Sequence, residues 1–287
     1  MYHILVQRLL HRAENTHKYD YGHVLILGGS AGMVGAPLLA GKAALRVGAG
    51  LVTIATDKET ADKLDRRVEE IMTLSIPSEP EAALRELLGF IAEHNVTSLA
   101  IGPGLKENMA HIVKLLVGAT QLPTVLDAGG LTAFRLHTSE LEAVAKQNKN
   151  LVITPHTGEY TKLMSLEKDT SMVHLQEHAV ESAKRYQLTI VLKGHHTFVA
   201  HPDGEVYKNM TGNPGLATAG TGDVLTGVIV GLLAQGIEPA QAAELGVLVH
   251  GLAGDLAAKA KTEAGMIASD VVEFLPEALK QLQHQSI

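Results

Sequence analysis

Asn213-Pro214-Gly215-Leu216-Ala217-Thr218-Ala219-Gly220-Thr221-Gly222-Asp223 runs without a break into the apolar stretch Val224–Ala234. Glycines at 220 and 222 free backbone N–H groups to converge, and the helix that must start there adds partial positive charge. Such a turn suits an anion, above all a phosphoryl group in transfer. Asp223 falls in the first helical turn. There a carboxylate either reaches a reacting hydroxyl or simply caps the helix, a role worth about 1 kcal/mol; the spacing alone leaves both open.

Upstream of this turn, short apolar runs alternate with longer helix-like stretches. Val24–Leu27, Leu51–Ala55, Leu99–Ile101, Thr124–Leu126, Leu151–Ile153 and Thr189–Leu192 are too short for helices, and most are rich in Val, Ile or Thr, so they read as buried strands. Ala36–Arg46, Glu81–Glu93, Ala110–Val117, Glu140–Gln147 and Leu175–Tyr186 read as the helices between them. That alternation implies a mostly parallel sheet with helices on both faces. After Lys193 the pattern changes. Thr197–Ala200 and Glu205–Tyr207 flank His201-Pro-Asp-Gly204, a hairpin signal. Three helices follow, at about Asp223–Ala234, Pro239–Ala260 and Ser269–Gln283, and Gly227 and Gly231 should let the first pack closely.

Five strand ends carry small or polar residues: Gly28-Gly-Ser30, Gly102-Pro-Gly104, Asp127-Ala-Gly-Gly130, Pro155-His-Thr-Gly-Glu159 and Lys193-Gly-His-His-Thr197. In an open parallel sheet the ligand crevice lies beyond those ends. Five together point to a site rather than to ordinary turns.

Composition narrows the function. The 287 residues are 46% apolar, with 3% aromatics and no tryptophan, so aliphatic residues and glycine must fill the core. No composition break divides the chain, and residues 1–287 are expected to form one domain. Cysteine is absent, which excludes disulfides and thiolate metal sites. Neither a signal peptide nor a membrane span is expected. A net charge of −7 argues against a nucleic-acid partner. G-x-G-x-x-G and P-loop patterns are missing, which argues against a conventional dinucleotide dehydrogenase or P-loop kinase. The pair His195-His196 invites a metal reading, but adjacent side chains on an extended strand point opposite ways. No protein metal site is expected. The other histidines, His156 apart, are expected at the surface.

Together, Gly35-Ala-Pro-Leu-Leu-Ala40, Gly102-Pro-Gly104, Val125-Leu-Asp-Ala128, Pro155-His-Thr-Gly-Glu159 and Gly220-Thr-Gly-Asp223 resemble, in this order, the NAD(P)HX dehydratase family. The resemblance covers almost the whole chain. It implies a ribokinase-like three-layer α/β/α sandwich that uses ADP or ATP, with Mg²⁺, to dehydrate hydrated NADH and NADPH. It further implies a cytoplasmic homotetramer. Residue by residue it makes Asp223 the general base and a substrate contact, with Ala36, Gly104 and His156 also on the substrate. It places Lys193, Gly194, His195, His196, Thr197, Gly220, Thr221 and Gly222 on the nucleotide. Glu159 is either a residue on the metal or phosphate side or a helix-dipole partner. ADP is expected to outperform ATP. Ala219, Tyr19 and Gly129 depart from the family pattern without removing a reactive group. A small-molecule kinase of the same superfamily and a non-catalytic nucleotide sensor are the alternatives.

Overall fold

The computed structural model describes residues 2–67 and 69–284. Nine strands form one sheet: β1 His23–Leu27, β2 Leu51–Asp57, β3 Met72–Ile76, β4 Ser98–Ile101, β5 Thr124–Leu126, β6 Leu151–Ile153, β7 Thr189–Leu192, β8 Phe198–Ala200 and β9 Val206–Lys208. Their order is β3-β2-β1-β4-β5-β6-β7-β8-β9. Pairing is parallel as far as β7 and antiparallel from β7 to β9. Chain order reverses between β1 and β4, the kind of point at which an open α/β sheet leaves a crevice.

Helices α1 His3–Leu10, α2 Gly35–Arg46, α3 Lys58–Leu64, α4 Pro80–Glu93, α5 Ala110–Ala119, α6 Gly129–Thr132 and α7 Thr138–Gln147 precede β6 or interleave with the strands before it. The others are α8 Thr157–Leu163, α9 Met172–Tyr186, α10 Thr221–Ala234, α11 Pro239–Lys261 and α12 Ala268–His284. Every strand and helix expected from sequence is present, with ends shifted by a few residues. Four elements were not foreseen: β3, α3, α1 and the four-residue α6. β3 is an edge strand that buries only Ile76, so it lacks an unbroken apolar run. Helix α3 is seven residues long and is started by Asp57, whose carboxylate accepts the Thr60 N–H at 3.0 Å. Helix α1 leaves Ile4 exposed and buries Val6.

Alternation along the strands divides the core between the two faces. Val24, Ile26, Val125, Val152 and Val191 pack with α2, α10, α11 and α12. Leu25, Leu27, Leu126, Ile153, Ile190 and Leu192 pack with α4, α5, α7 and α9. The valine face is thinner, and glycine lets α10 settle on it. A methyl group built at Gly227 would lie 2.1 Å from the Ala40 carbonyl oxygen, and one at Gly231 would lie 2.8 Å from the Ala44 Cα. α10 and α2 therefore meet backbone to backbone, as the Gly227/Gly231 spacing suggested. That contact holds the first turn of α10 over the strand ends.

Three histidines expected at the surface are instead buried: His23, His201 and His250. Each sits against a polar group, although His201 Nε2 completes no hydrogen bond among the described residues. His23 bonds the Thr53 hydroxyl at 2.8 Å and the His94 carbonyl at 3.0 Å, and His201 lies 2.9 Å from the Glu244 carboxylate. A ring whose nitrogens are met can be buried, which residue type alone does not reveal.

Candidate active site

The loops leaving β4, β5, β6 and β7 converge beside the start of α10. Asp127, at the end of β5, is 2% exposed. Its Oδ1 accepts from Lys193 Nζ at 2.8 Å and from the Thr154 hydroxyl at 2.9 Å. Its Oδ2 accepts from the Thr226 hydroxyl at 2.9 Å. Four elements are thus tied to one carboxylate. Burial works against the Lys193 charge, but Asp127 restores it, with smaller help from Glu159 and Asp223, and leaves the lysine pKa above its ordinary value. Lys193 is joined to His156 as well, because the Lys193 N–H donates to the Pro155 carbonyl at 2.8 Å and extends the β6–β7 pairing.

Helix α10 begins at Gly220, whose φ of 92° is open to glycine at little cost. No side chain caps it. Among the described residues, the N–H groups of Gly222 and Asp223 have no protein acceptor. A methyl at Gly222 would face Lys193 Nζ at 3.4 Å. Asp223 is the third residue of the helix, and its carboxylate accepts no hydrogen bond among the described residues, so it is not the cap that spacing allowed. Its pKa is pushed up to about 7, first by burial and then by the Asp127 carboxylate, while Lys193 pulls it back. A carboxyl with such a pKa takes and returns a proton near neutrality.

Helix α8 starts differently. His156 Nδ1 accepts the N–H groups of Gly158 and Glu159 at 3.1 and 3.3 Å, and the Glu159 carboxylate accepts the His156 N–H at 2.9 Å. This reciprocal capping box accounts for Glu159 and fixes the His156 tautomer. With Nδ1 accepting, the proton sits on Nε2 of an imidazole whose side chain is 59% exposed. On the far side of the site, Gly104 adopts φ 71°, and a methyl there would sit 3.2 Å from the Ala36 Cβ. The two predicted substrate residues are therefore neighbours, and the Ser30 hydroxyl donates to the Gly104 carbonyl at 2.8 Å.

Lys193, Gly194, His195, His196, Thr197, Thr221 and Gly222 all line one pocket of ≈ 390 Å³, together with Asn209, Leu225 and His250. Gly220 lies beside it rather than in its wall. The geometry of the histidine pair departs from the sequence argument. The chain bends at 194–196, and the rings of His195 and His196 lie 4.4 Å apart, tilted by 33°. Strand alternation does not apply to a bend. Among the described residues no cluster of three histidine or acidic side chains could hold a metal ion. His250 was not foreseen. Its Nε2 donates to the Thr221 carbonyl at 2.9 Å, and burial takes its pKa down to about 4, so it stays neutral under the pocket.

A doubly wound sheet with an antiparallel edge, an uncapped glycine turn over the strand ends and a carboxylate within that turn define a ribokinase-like α/β protein. The chain belongs to the NAD(P)H-hydrate dehydratase family, whose model matches residues 24–277. The bifunctional NAD(P)H-hydrate repair enzyme of Moorella thermoacetica is 44% identical over 97% of this chain and 53% of its own length. The ADP-dependent (S)-NAD(P)H-hydrate dehydratase of Bacillus subtilis is 33% identical, over 95% of this chain and 94% of its own. A crystal structure of the ADP/ATP-dependent NAD(P)H-hydrate dehydratase from Bacillus subtilis, co-crystallised with ATP/Mg²⁺, superposes with a TM-score of 0.80 at 30% identity, covering 98% of this chain and 97% of that one. The chain spans about half the length of the bifunctional relatives it matches. Among the described residues, no helix is long and apolar enough to cross a membrane.

Proposed function

We propose that this protein dehydrates the 6-hydroxy (hydrated) forms of NADH and NADPH, using ADP or ATP as phosphoryl donor. One observation carries the reading. Among the described residues Asp223 presents a half-buried carboxylate with no hydrogen-bond partner, in the turn that offers free N–H groups, and its proton affinity is tuned near neutrality. On this reading Asp223 takes the proton of the C6 hydroxyl as its oxygen attacks the terminal phosphorus of the donor. The N–H groups of Gly222 and Asp223 and the Lys193 ammonium stabilise the charge on the transferring group. The C6–O bond then breaks with loss of phosphate, and loss of the C5 proton restores the dihydronicotinamide. With ADP the co-product is AMP.

His156 serves the acceptor through its Nε2–H, which stands 3.6 Å from the Glu159 carboxylate, and Ala36 and Gly104 let that substrate approach the backbone. The adenosine of the donor occupies the pocket under Lys193–Thr197. Mg²⁺ usually arrives on nucleotide phosphates and needs only one or two protein carboxylates. Glu159, whose charge is felt at Lys193, is the carboxylate we place beside it. Bound there, the ion would neutralise phosphate charge. The same resemblance extends the reading to a cytoplasmic homotetramer, which a mass measurement in solution tests. ADP is the preferred donor on this reading, since a site set for ADP would put the wrong phosphorus of ATP at the acceptor hydroxyl.

The test incubates the protein with hydrated NADH, Mg²⁺ and each nucleotide while following the return of dihydronicotinamide absorbance. Stoichiometric recovery with release of phosphate supports the proposal. A stable phosphate ester without recovery would make the protein a kinase, and no turnover at all a sensor.

A further inference from the structure

Between β9 and α10 the chain runs through residues 209–220 with a single turn of 3₁₀ helix, Pro214–Leu216, as its own regular structure. This loop delivers Gly222 and Asp223 to the crevice, so something outside it has to hold it still. Helix α11 does so. A methyl built at Gly251 would stand 2.1 Å from the Thr211 hydroxyl oxygen, and one at Gly254 would stand 2.8 Å from Leu216 Cδ2. The next residue, Asp255, adds a polar tie. Its Oδ2 accepts the Gly212 N–H at 2.9 Å, and its Oδ1 accepts from Asn213 Nδ2 at 3.0 Å. Both bonds are strengthened by the carboxylate charge. Asp is a poor helix former, so the 23-residue α11 gains nothing from it by propensity.

From Asp255 a chain of hydrogen bonds reaches α10. Asn213 Oδ1 accepts the Gly215 N–H at 2.9 Å, and the Thr218 hydroxyl donates to the Gly215 carbonyl at 2.8 Å. The Thr221 hydroxyl then donates to the carbonyls of Leu216 and Thr218 at 2.7 and 2.9 Å. Thr221 is the first residue of α10, immediately before Gly222 and Asp223. Asp255 does not act there by charge. The charges felt at Asp223 are those of Asp127 and Lys193, and those felt at Lys193 come from Asp127, Glu159 and Asp223. Its influence runs through the bonded loop.

We propose that Asp255 is a positioning residue for the dehydration, fixing through Asn213 where Gly222 and Asp223 stand. This rests on Asp223 being the base of that reaction. The polarity of the pair makes the role testable. In Asp255→Asn the new amide accepts the Gly212 N–H but turns a donor toward Asn213 Nδ2. Flipping the Asn213 amide only moves the clash to the Gly215 N–H. In Asn213→Asp/Asp255→Asn every donor regains an acceptor. The amide at 255 accepts the Gly212 N–H and donates to the carboxylate at 213, which still accepts the Gly215 N–H.

The experiment measures kcat on the full chain at saturating hydrated NADH, ADP and Mg²⁺. Asp255→Asn should lower it ~10- to 100-fold, as a misplacement of up to about 1 Å does, with both KM values within about threefold of wild type. The exchanged pair should restore kcat to within about threefold. Asn213→Ser keeps an acceptor for the Gly215 N–H but falls short of Asp255; it should lose kcat to the same degree, and it serves where Asp255→Asn folds poorly. Hydrogen exchange of the Val224 amide, which donates to the Gly220 carbonyl at 3.1 Å, should quicken ~10-fold in either single variant and recover in the exchanged pair. Wild-type kcat in the single variants, or an exchanged pair whose kcat stays low, overturns the proposal. Should wild-type protein leave the hydrate unchanged, the functional reading fails on that result alone. An unchanged Val224 exchange rate in both single variants overturns the tether by itself.

Discussion

Helices α8 and α10 both point their N-termini at the same crevice, yet they treat their free donors in opposite ways. α8 closes its own end: His156 accepts two N–H groups and Glu159 accepts a third. α10 starts at a glycine, has no side-chain cap and, among the described residues, leaves the Gly222 and Asp223 N–H groups without a protein acceptor. Two helix ends of similar polarity are therefore not two anion sites. The closed end offers a side chain held at a set angle, and the open end offers backbone donors to a phosphoryl group. The motif at each end decides which role it plays.

The comparison breaks most sharply at Asp223. Replacing it with Asn should lower turnover by roughly 10²–10⁴-fold, as loss of a general base does, while ADP affinity by calorimetry changes little. A variant that keeps most of its rate would mean that α10 only binds and that the base lies elsewhere.

Next in size is the donor preference. If the open end of α10 fixes the transferred phosphorus, ATP places the wrong phosphorus at the hydroxyl. A misplacement of about 1 Å can cost about 10²-fold. Matched kcat/KM values should favour ADP by about that factor, and equal values would show that the donor slides in its pocket.

At α8 the expected effect is smaller and falls on binding. His156→Ala should raise KM for the hydrate more than KM for the donor, and should also remove a cap worth about 1 kcal/mol. His156→Asn separates the two, because Asn can cap α8 but cannot supply Nε2–H. Its melting temperature should approach that of wild type while the KM for the hydrate stays high. Normal kinetics in the Asn variant would reduce His156 to a cap.

The pH dependence sharpens the picture. Asp223 serves as a base only when ionised, so kcat/KM should rise with pH through about 7. Asp127 helps raise that value, so in Asp127→Asn the inflection should move to lower pH. Stability follows the same linkage. A carboxyl raised from 3.8 to about 7 favours folding below 3.8, and that contribution is lost as pH rises through 7. Asp223→Asn should therefore melt above wild type at pH 8, with the gap closing as pH falls from about 7 to about 4. A constant gap would place the strain elsewhere.

Much of this was legible because it is written in contiguous residues. Gly220, Gly222 and Asp223 share one turn, Lys193–Thr197 one loop, and His156 and Glu159 one capping box. Each could be read as a local pattern followed by a helix or preceded by a strand. Asp127 stood in a visible strand end but gave no hint of its part, because its partners Lys193 and Thr226 lie 66 and 99 residues away.

By itself, then, the sequence determined the layers, the hairpin edge, the glycine turn and the residue types that meet phosphate, since backbone conformation and apolar periodicity act over a few residues. Tertiary structure decided whether Asp223 was a cap or a free carboxylate, whether His195 and His196 diverged, and which histidines were buried. Those outcomes depend on burial and on charges brought together from distant strands. Desolvation and the Asp127 charge move the Asp223 pKa to about 7 only once the β5 and α10 ends stand side by side.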